Sequence, residues 1–211
     1  MDMSVLIKFV LSRFGGSVIT RKEMEGVCKR FKADLRNTIN YMITYGYLVR
    51  ILRGLYYVKT YEEFKLGKAI DVYKLISLGM NKLEVYWYFG LYTALLLNGL
   101  THEFFGTIFV LNDKIFRPKE IVVAGEKVKF IKLKDKLFGF GVVSKDSLRF
   151  SDPEKTILDF IYIFRYRGVA EERIISMVED YAKALRKSRI KAYLKFYPKS
   201  VSKVVKNAKV I

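Results

Sequence analysis

With one cysteine, Cys28, and one histidine, His102, the 211-residue chain cannot form an internal disulfide. Nor does it hold a Cys/His set at the ligand spacing of a structural zinc site. Glutamine is absent and lysine abundant, a bias found in proteins from very hot environments, where labile side chains are fewer. No apolar run has the length of a bilayer span. The longest, Val85 to Leu97, is too short and too aromatic, and the opening Met-Asp-Met lacks the basic start of a signal peptide. A cytoplasmic protein with no membrane partner is therefore expected.

Catalytic groups are scarce as well. Glu103 beside His102, or Asp159, has no accompanying nucleophile or metal set in the sequence. Gly139-Phe140-Gly141 lacks the third glycine and the strand-to-helix setting of a dinucleotide loop. Gly16-Ser17 followed by Glu23 and Glu25 is faintly like a nucleotidyltransferase motif, but those carboxylates fall in a helix-capping pattern rather than on a rigid strand. A protein that is not an enzyme, with no cofactor and no metal, is the expectation.

Acidic residues are missing from one stretch only, and this gives the net charge of +18 its meaning. Residues 1–60 hold 11 Lys and Arg against 4 Asp and Glu; residues 61–182 hold 18 against 17; residues 183–211 hold 10 against none. Two basic blocks around a balanced centre point to a polyanionic partner, because segregated charge survives in the long-range field while paired charge cancels.

What is present begins with 51% hydrophobic residues, ample for a core. Ser4 to Phe14 has a helical pattern stopped by Gly15-Gly16, and Ser17-Val18-Ile19 is a short apolar piece. Thr20-Arg21-Lys22-Glu23 has the form of a capping box, with Ile19 and Met24 as its hydrophobic staple. The helix it starts buries Met24, Val27 and Cys28, so Cys28 reads as a small core residue. From Lys32 to Tyr45, Leu35, Ile39 and Met42 or Ile43 recur at helical spacing, while Arg36, Asn37, Asn40 and Tyr41 share the opposite side. Gly46 ends that helix. Residues 47–52 and 55–59 then read as strands around the Arg53-Gly54 turn.

Helix, short strand, helix, helix, hairpin is the order of a winged helix-turn-helix. In that arrangement the third helix enters the major groove of double-stranded DNA, where Arg pairs with guanine and Asn with adenine. The candidate contacts are Arg36, Asn37, Asn40 and Tyr41 in the groove, with Lys32 at the helix lead-in. Arg21 and Lys22, at a helix N-terminus, are candidates for phosphate, and Arg50 and Arg53 for the wing. Pairing of two copies over a repeated half-site, a homodimer, is the usual remedy for the few base contacts of one copy.

Thr60-Tyr61-Glu62-Glu63 is a second capping box, and 61–80 reads as a helical connector broken near Gly67 or ending at Gly79. Lys82 to Leu97 reads as a buried helix. Residues 107–111, 120–124, 128–133, 140–143 and 147–150 are short β-rich runs expected to form a small, mostly antiparallel sheet. Ser151-Asp152-Pro153-Glu154 offers a cap with an early proline for a helix to Tyr166, and further helices follow, with basic outer faces. The expected fold is α+β: a winged helix-turn-helix over 1–60, a connector over 61–80, and over 81–211 a mixed domain with several helices.

Two segments of this second domain carry a resemblance. Tyr88-Phe89-Gly90-Leu91, followed by Ala94-Leu95 and Asn98-Gly99-Leu100-Thr101, is similar to the Tyr-x-Gly-Leu-x-x-Ala-Leu-x-x-His-Gly-Leu-Thr motif of the AbiEi-like antitoxins of abortive-infection type IV toxin–antitoxin systems. Pro153-Glu154-Lys155-Thr156-Ile157-Leu158-Asp159 resembles the second signature of that family, and Arg53-Gly54-Leu55-Tyr56 its Arg-Gly-x-Tyr wing. The resemblance covers roughly residues 5 to 185. It implies a transcriptional regulator of its own operon whose partner is a nucleotidyltransferase-like toxin. Asn98 departs from the family's usual His, and the basic tail after Lys183 lies outside the resemblance. Two alternatives stay open: general nucleic-acid binding through Lys191, Lys195, Lys199, Lys203 and Lys206 of the tail, and a scaffold that contacts proteins only.

Overall fold

The computed structural model describes residues 3–210 as a mixed α+β protein with two sheets, of three and six strands. The chain divides into two compact units, one formed by residues up to Glu84 with 122–126, the other by 85–121 with the residues from 127 onward.

In the first unit α1 (Met3–Phe14) leads through β1 (Val18–Thr20) to α2 (Arg21–Arg30) and α3 (Leu35–Thr44). Strands β2 (Leu48–Leu52) and β3 (Leu55–Val58) follow, and the sheet runs β1-β3-β2 with both pairings antiparallel. Local chemistry sets these boundaries. The Thr20 hydroxyl accepts from the Glu23 amide at 3.2 Å while the Glu23 carboxylate accepts from the Thr20 amide at 2.7 Å, the reciprocal capping box that starts α2. Asp34, a favoured capping residue directly before Leu35, starts α3 by accepting from the Asn37 amide at 2.7 Å. Gly46, at φ +76°, lets the Tyr47 amide turn back to the Met42 carbonyl at 2.8 Å and closes α3.

One core joins these elements: Leu6, Val10, Ile19, Met24, Val27, Cys28, Ile39, Met42, Leu48 and Val58 are all buried together. Full burial of each aliphatic side chain stabilises by about 1.5–3 kcal/mol. Burial pushes the Cys28 thiol above its usual pKa despite a hydrogen bond to Thr38, as fits an inert packing residue.

The residues expected as a connector are folded into this unit. Thr60 and Glu63 make their capping box and start α4 (Tyr61–Lys65), and the Tyr57 hydroxyl donates to the Glu63 carboxylate at 2.9 Å. After the break at Gly67, α5 (Val72–Lys82) begins at Asp71 and continues past Gly79. A Cβ at Gly79 would stand 3.0 Å from Ile51, so glycine there serves close packing of α5 on the sheet rather than termination.

The second unit departs further from expectation. The apolar stretch read as one helix from Lys82 to Leu97 is instead strand β4 (Trp87–Phe89) followed by α6 (Leu91–Leu97). Trp87, Tyr88 and Phe89 are all buried, and a strand covered on both faces shows no alternation by which to tell it from a buried helix. Strands β5 (Ile108–Asn112), β6 (Ile121–Val123), β7 (Glu126–Lys132), β8 (Val142–Lys145) and β9 (Leu148–Ser151) complete a sheet of order β6-β7-β5-β4-β9-β8.

Antiparallel and parallel pairings both occur in that sheet. β4–β5 and β8–β9 pair antiparallel, whereas β5–β7 and β4–β9 pair parallel. Helices α7 (Pro153–Tyr166), α8 (Glu171–Tyr181), α9 (Lys187–Leu194) and α10 (Lys199–Asn207) share a core with it through Leu95, Leu111, Ile157, Phe160, Ile174, Ile190 and Val204. Among the described residues no helix is long and apolar enough to cross a membrane.

Candidate nucleic-acid interface

Helix α3 is two-faced by construction. Thr38, Ile39 and Met42 are buried, the Thr38 hydroxyl donating to the Asp34 carbonyl at 2.6 Å, while Arg36, Asn37, Asn40 and Tyr41 are exposed. The Tyr41 ring lies 4.3 Å from that of Tyr45, so the two form a paired aromatic edge along the exposed side. The turn between α2 and α3 is tight. Lys32, exposed and at φ +51°, directs the Ala33 amide back to the Cys28 carbonyl at 2.9 Å. A donor-rich face is thus held on a helix whose other face is locked into the core.

Arg21 and Lys22 are exposed at the start of α2, and the Arg21 amide donates to the Gly54 carbonyl at 2.7 Å. This bond joins the N-terminus of α2 to the β2–β3 turn, placing Arg21 beside Arg53. Arg50 is exposed on β2 with its guanidinium 6.0 Å from the Tyr56 ring centre. All nine residues expected to meet DNA are therefore at the surface of the first unit. The Glu23 carboxylate serves the fold instead. Besides its cap it accepts from Lys82 of α5 at 2.7 Å, which fits the capping reading and not a metal-binding one.

The segments carrying the family resemblance have a buried, polar arrangement of their own. In α7, Lys155 and Asp159 are fully buried, with Lys155 Nζ 3.4 Å from Asp159 Oδ1. Asp159 accepts from Tyr197 at 2.6 Å and from Tyr88 at 2.8 Å. Lys155 Nζ stands 4.4 Å from the Phe140 ring centre and 4.8 Å from that of Tyr88, so aromatic faces supplement its one carboxylate. Burial pushes Asp159 up and Lys155 down from their ordinary pKa values, opposed in each case by the partner charge. A fully enclosed pair without an open face for a substrate fits a structural centre.

Asp152 caps α7 through the Lys155 amide at 2.8 Å and also accepts from Tyr193 at 2.8 Å. Glu154 accepts from the Arg186 amide at 2.9 Å. These bonds tie α9 to the start of α7. Asn98 donates to the carbonyls of Ala94 at 2.7 Å and Ser151 at 2.9 Å, and so links the end of α6 to β9. Gly90 serves close packing, since a Cβ there would lie 2.8 Å from Leu111, whereas Gly99 serves conformation: at φ +69°, with open space beside it, it closes α6 by a Leu100 amide to Leu95 carbonyl bond of 2.9 Å.

No family model and no curated protein matches the chain. Among solved structures, it is similar to the crystal structure of the RV2827C protein from Mycobacterium tuberculosis. The two share 13% sequence identity and a TM-score of 0.59, over 97% of this chain and 75% of that one. The likeness is one of fold.

The basic tail, left open by the sequence, is integral to the second unit. Ile190, Tyr197, Val201, Val204, Val205 and Ala208 are buried, whereas Lys191, Lys195, Lys199, Lys203 and Lys206 are exposed. Removal of the tail would open the core, so its charge is separable from its packing only by point substitution. Helical spacing of Val201, Val204, Val205 and Ala208 was the available sequence signal for this docking.

Proposed function

We propose that the first unit is a winged helix-turn-helix that reads double-stranded DNA, and that the chain is a transcriptional regulator of the AbiEi-like antitoxin kind. In this reading α3 enters the major groove with Arg36, Asn37, Asn40 and Tyr41, and Lys32 lies at its lead-in. Arg21, Lys22, Arg50 and Arg53 meet the flanking backbone, and the second unit holds a nucleotidyltransferase-like toxin. The observation that carries it is the division of α3: its groove candidates are exposed while Thr38, Ile39 and Met42 fix the opposite face in the core. The Arg21 to Gly54 bond adds support, since it brings a second cationic residue to the wing turn. Two copies on a repeated half-site would double the base contacts.

Footprinting of the full chain on its own promoter tests the reading. Protection of a repeated site is expected, with duplex of random sequence bound at least about a thousandfold more weakly at near-physiological salt. Equal affinity for both would sink sequence-specific regulation. If that equal binding disappears when Lys191, Lys195, Lys199, Lys203 and Lys206 are replaced by Ser, the tail is the general nucleic-acid-binding element instead. Absence of any DNA binding beside a stable complex with a neighbouring gene product would leave the protein-only scaffold.

A further inference from the structure

A cleft of about 950 Å³ opens in the second unit, between the loop after β5, the end of β7 and the C-terminal end of α7. β5 and β7 run parallel, so the cleft lies beyond the carboxyl ends of two parallel strands, where open α/β sheets bind ligands. Its size is that of a site for a small molecule or one unit of a polymer.

The lining is cationic and aromatic at once. Six Lys and Arg residues face it against two Asp, a local excess of +4, within the stretch of chain that is otherwise close to neutral. Asp113 is further committed, its carboxylate accepting from the Tyr86 amide at 3.1 Å. Tyr166 is 88% exposed and Phe116 71%, so each ring offers an open face at the cleft on which a flat group can stack. The walls are preformed. Buried Asn112 donates to the carbonyls of Ile115 at 3.1 Å and Ile131 at 3.3 Å and accepts from the Ile115 amide, which fixes the loop after β5 onto β7. Lys129 braces the same loop by donating to the Pro118 carbonyl at 2.5 Å.

We propose that this cleft binds a nucleotide, with phosphate on Arg117, Lys132 and Arg167 and the base stacked on Tyr166 or Phe116. Cations alone would serve any anion, including an acidic peptide. Exposed rings beside guanidinium groups add what a base requires, a flat apolar face next to the charge for its phosphate. The same chemistry is offered by a free nucleotide and by a residue of single-stranded nucleic acid. The site belongs to the second unit and does not depend on DNA reading by α3.

The experiment titrates the full-length chain with ATP, with single-stranded oligouridine of about ten nucleotides, and with polyglutamate of similar charge. Oligouridine or ATP is expected to bind, and binding should fall at least about tenfold in Tyr166→Ala and in the double variant Lys132→Glu/Arg167→Ala. Arg36→Ala should leave it unchanged. Binding of ATP with those sensitivities assigns a free nucleotide; binding of oligouridine without ATP assigns a strand. Lys132, Tyr166 and Arg167 are exposed, so the variants should keep the urea midpoint of the parent chain, and Phe116→Ala provides a further stacking variant. The proposal is overturned if neither nucleotide probe binds, if loss of both rings changes nothing, or if polyglutamate binds more tightly than oligouridine with the same charge dependence.

Discussion

The two units use polar side chains in opposite ways. In the first, Arg36, Asn37 and Asn40 stand at the surface over an apolar core whose polar exceptions are few. In the second, Lys155, Asp159, Asp152, Glu154 and Tyr88 are buried at the centre, where Asp159 is reached by a lysine and two tyrosines. A surface donor face costs the fold little and is available to a partner. A buried ion pair costs several kcal/mol in desolvation per ion and is kept only when its hydrogen bonds are complete. The exposed polar residues of α3 are therefore free of a packing role, whereas the buried ones around Asp159 fix the arrangement of α7 against α9 and β4.

The largest expected effect breaks that contrast at its buried end. Asp159→Ala should destabilise the second unit by about 3–5 kcal/mol, since it strands the Lys155 ammonium and the hydroxyls of Tyr88 and Tyr197. Urea unfolding followed by the fluorescence of Trp87, the chain's single tryptophan and buried in that unit, measures it. Lys155→Met/Asp159→Leu should recover most of the loss, because removing both charges also removes the desolvation cost. A loss below about 1 kcal/mol in the single variant would assign the pair no structural role.

At the exposed end the same logic predicts binding changes without stability changes. Arg36→Ala should weaken the cognate DNA site by about 1–3 kcal/mol if its guanidinium meets a guanine, and leave the urea midpoint in place. Arg53→Ala should act on every sequence alike and lower the salt slope by about 1, as loss of one phosphate contact requires. Titrations at several salt concentrations separate the two. If Arg36→Ala weakens all sequences equally, α3 contributes charge and not base reading.

What could be read beforehand follows from how local each feature is. The Thr20/Glu23 and Thr60/Glu63 capping boxes and the Asp152 cap with Pro153 each lie within four residues, and helical spacing alone marked the exposed side of α3. The sheet of the second unit was not legible in the same way. Its parallel β4–β9 pairing joins Phe89 to Phe150, partners that no local pattern connects, and Trp87–Phe89 lacks alternation because both its faces are covered. The centre around Lys155 was hidden for the same reason: Tyr88, Phe140 and Tyr197 come from three separate segments. The tail was legible as helices with basic outer faces, but its role stayed open, since ten cations without an acid draw attention from the valines between them.

The smallest effect sharpens the contrast by pH. In the first unit, burial pushes Glu23 upward, but hydrogen bonds from Lys82 and Thr20 outweigh it and hold the carboxyl below its ordinary 4.5. A carboxyl lowered on folding contributes stability that is present above its unfolded value and lost as pH falls through the folded one. Asp152 is the reverse case: burial raises it above the ordinary 3.8, outweighing the Lys155 amide and Tyr193. A raised carboxyl favours the fold most below its unfolded value, and that contribution declines as pH rises through the raised one. Between about pH 3 and about pH 7, the protection of α2 amides relative to the unfolded-chain exchange rate at the same pH should therefore rise in the parent chain and lose part of that trend in Glu23→Gln. The change should stay under about 1 kcal/mol, because the Glu23–Lys82 pair is more than a third exposed and solvent screens it. In Asp152→Asn, Trp87-detected unfolding should lose a dependence of opposite sign. Equal signs in the two variants would mean that the surface carboxylate and the buried one are held by the same balance of forces, and the distinction drawn between the units would fail at the level of single groups.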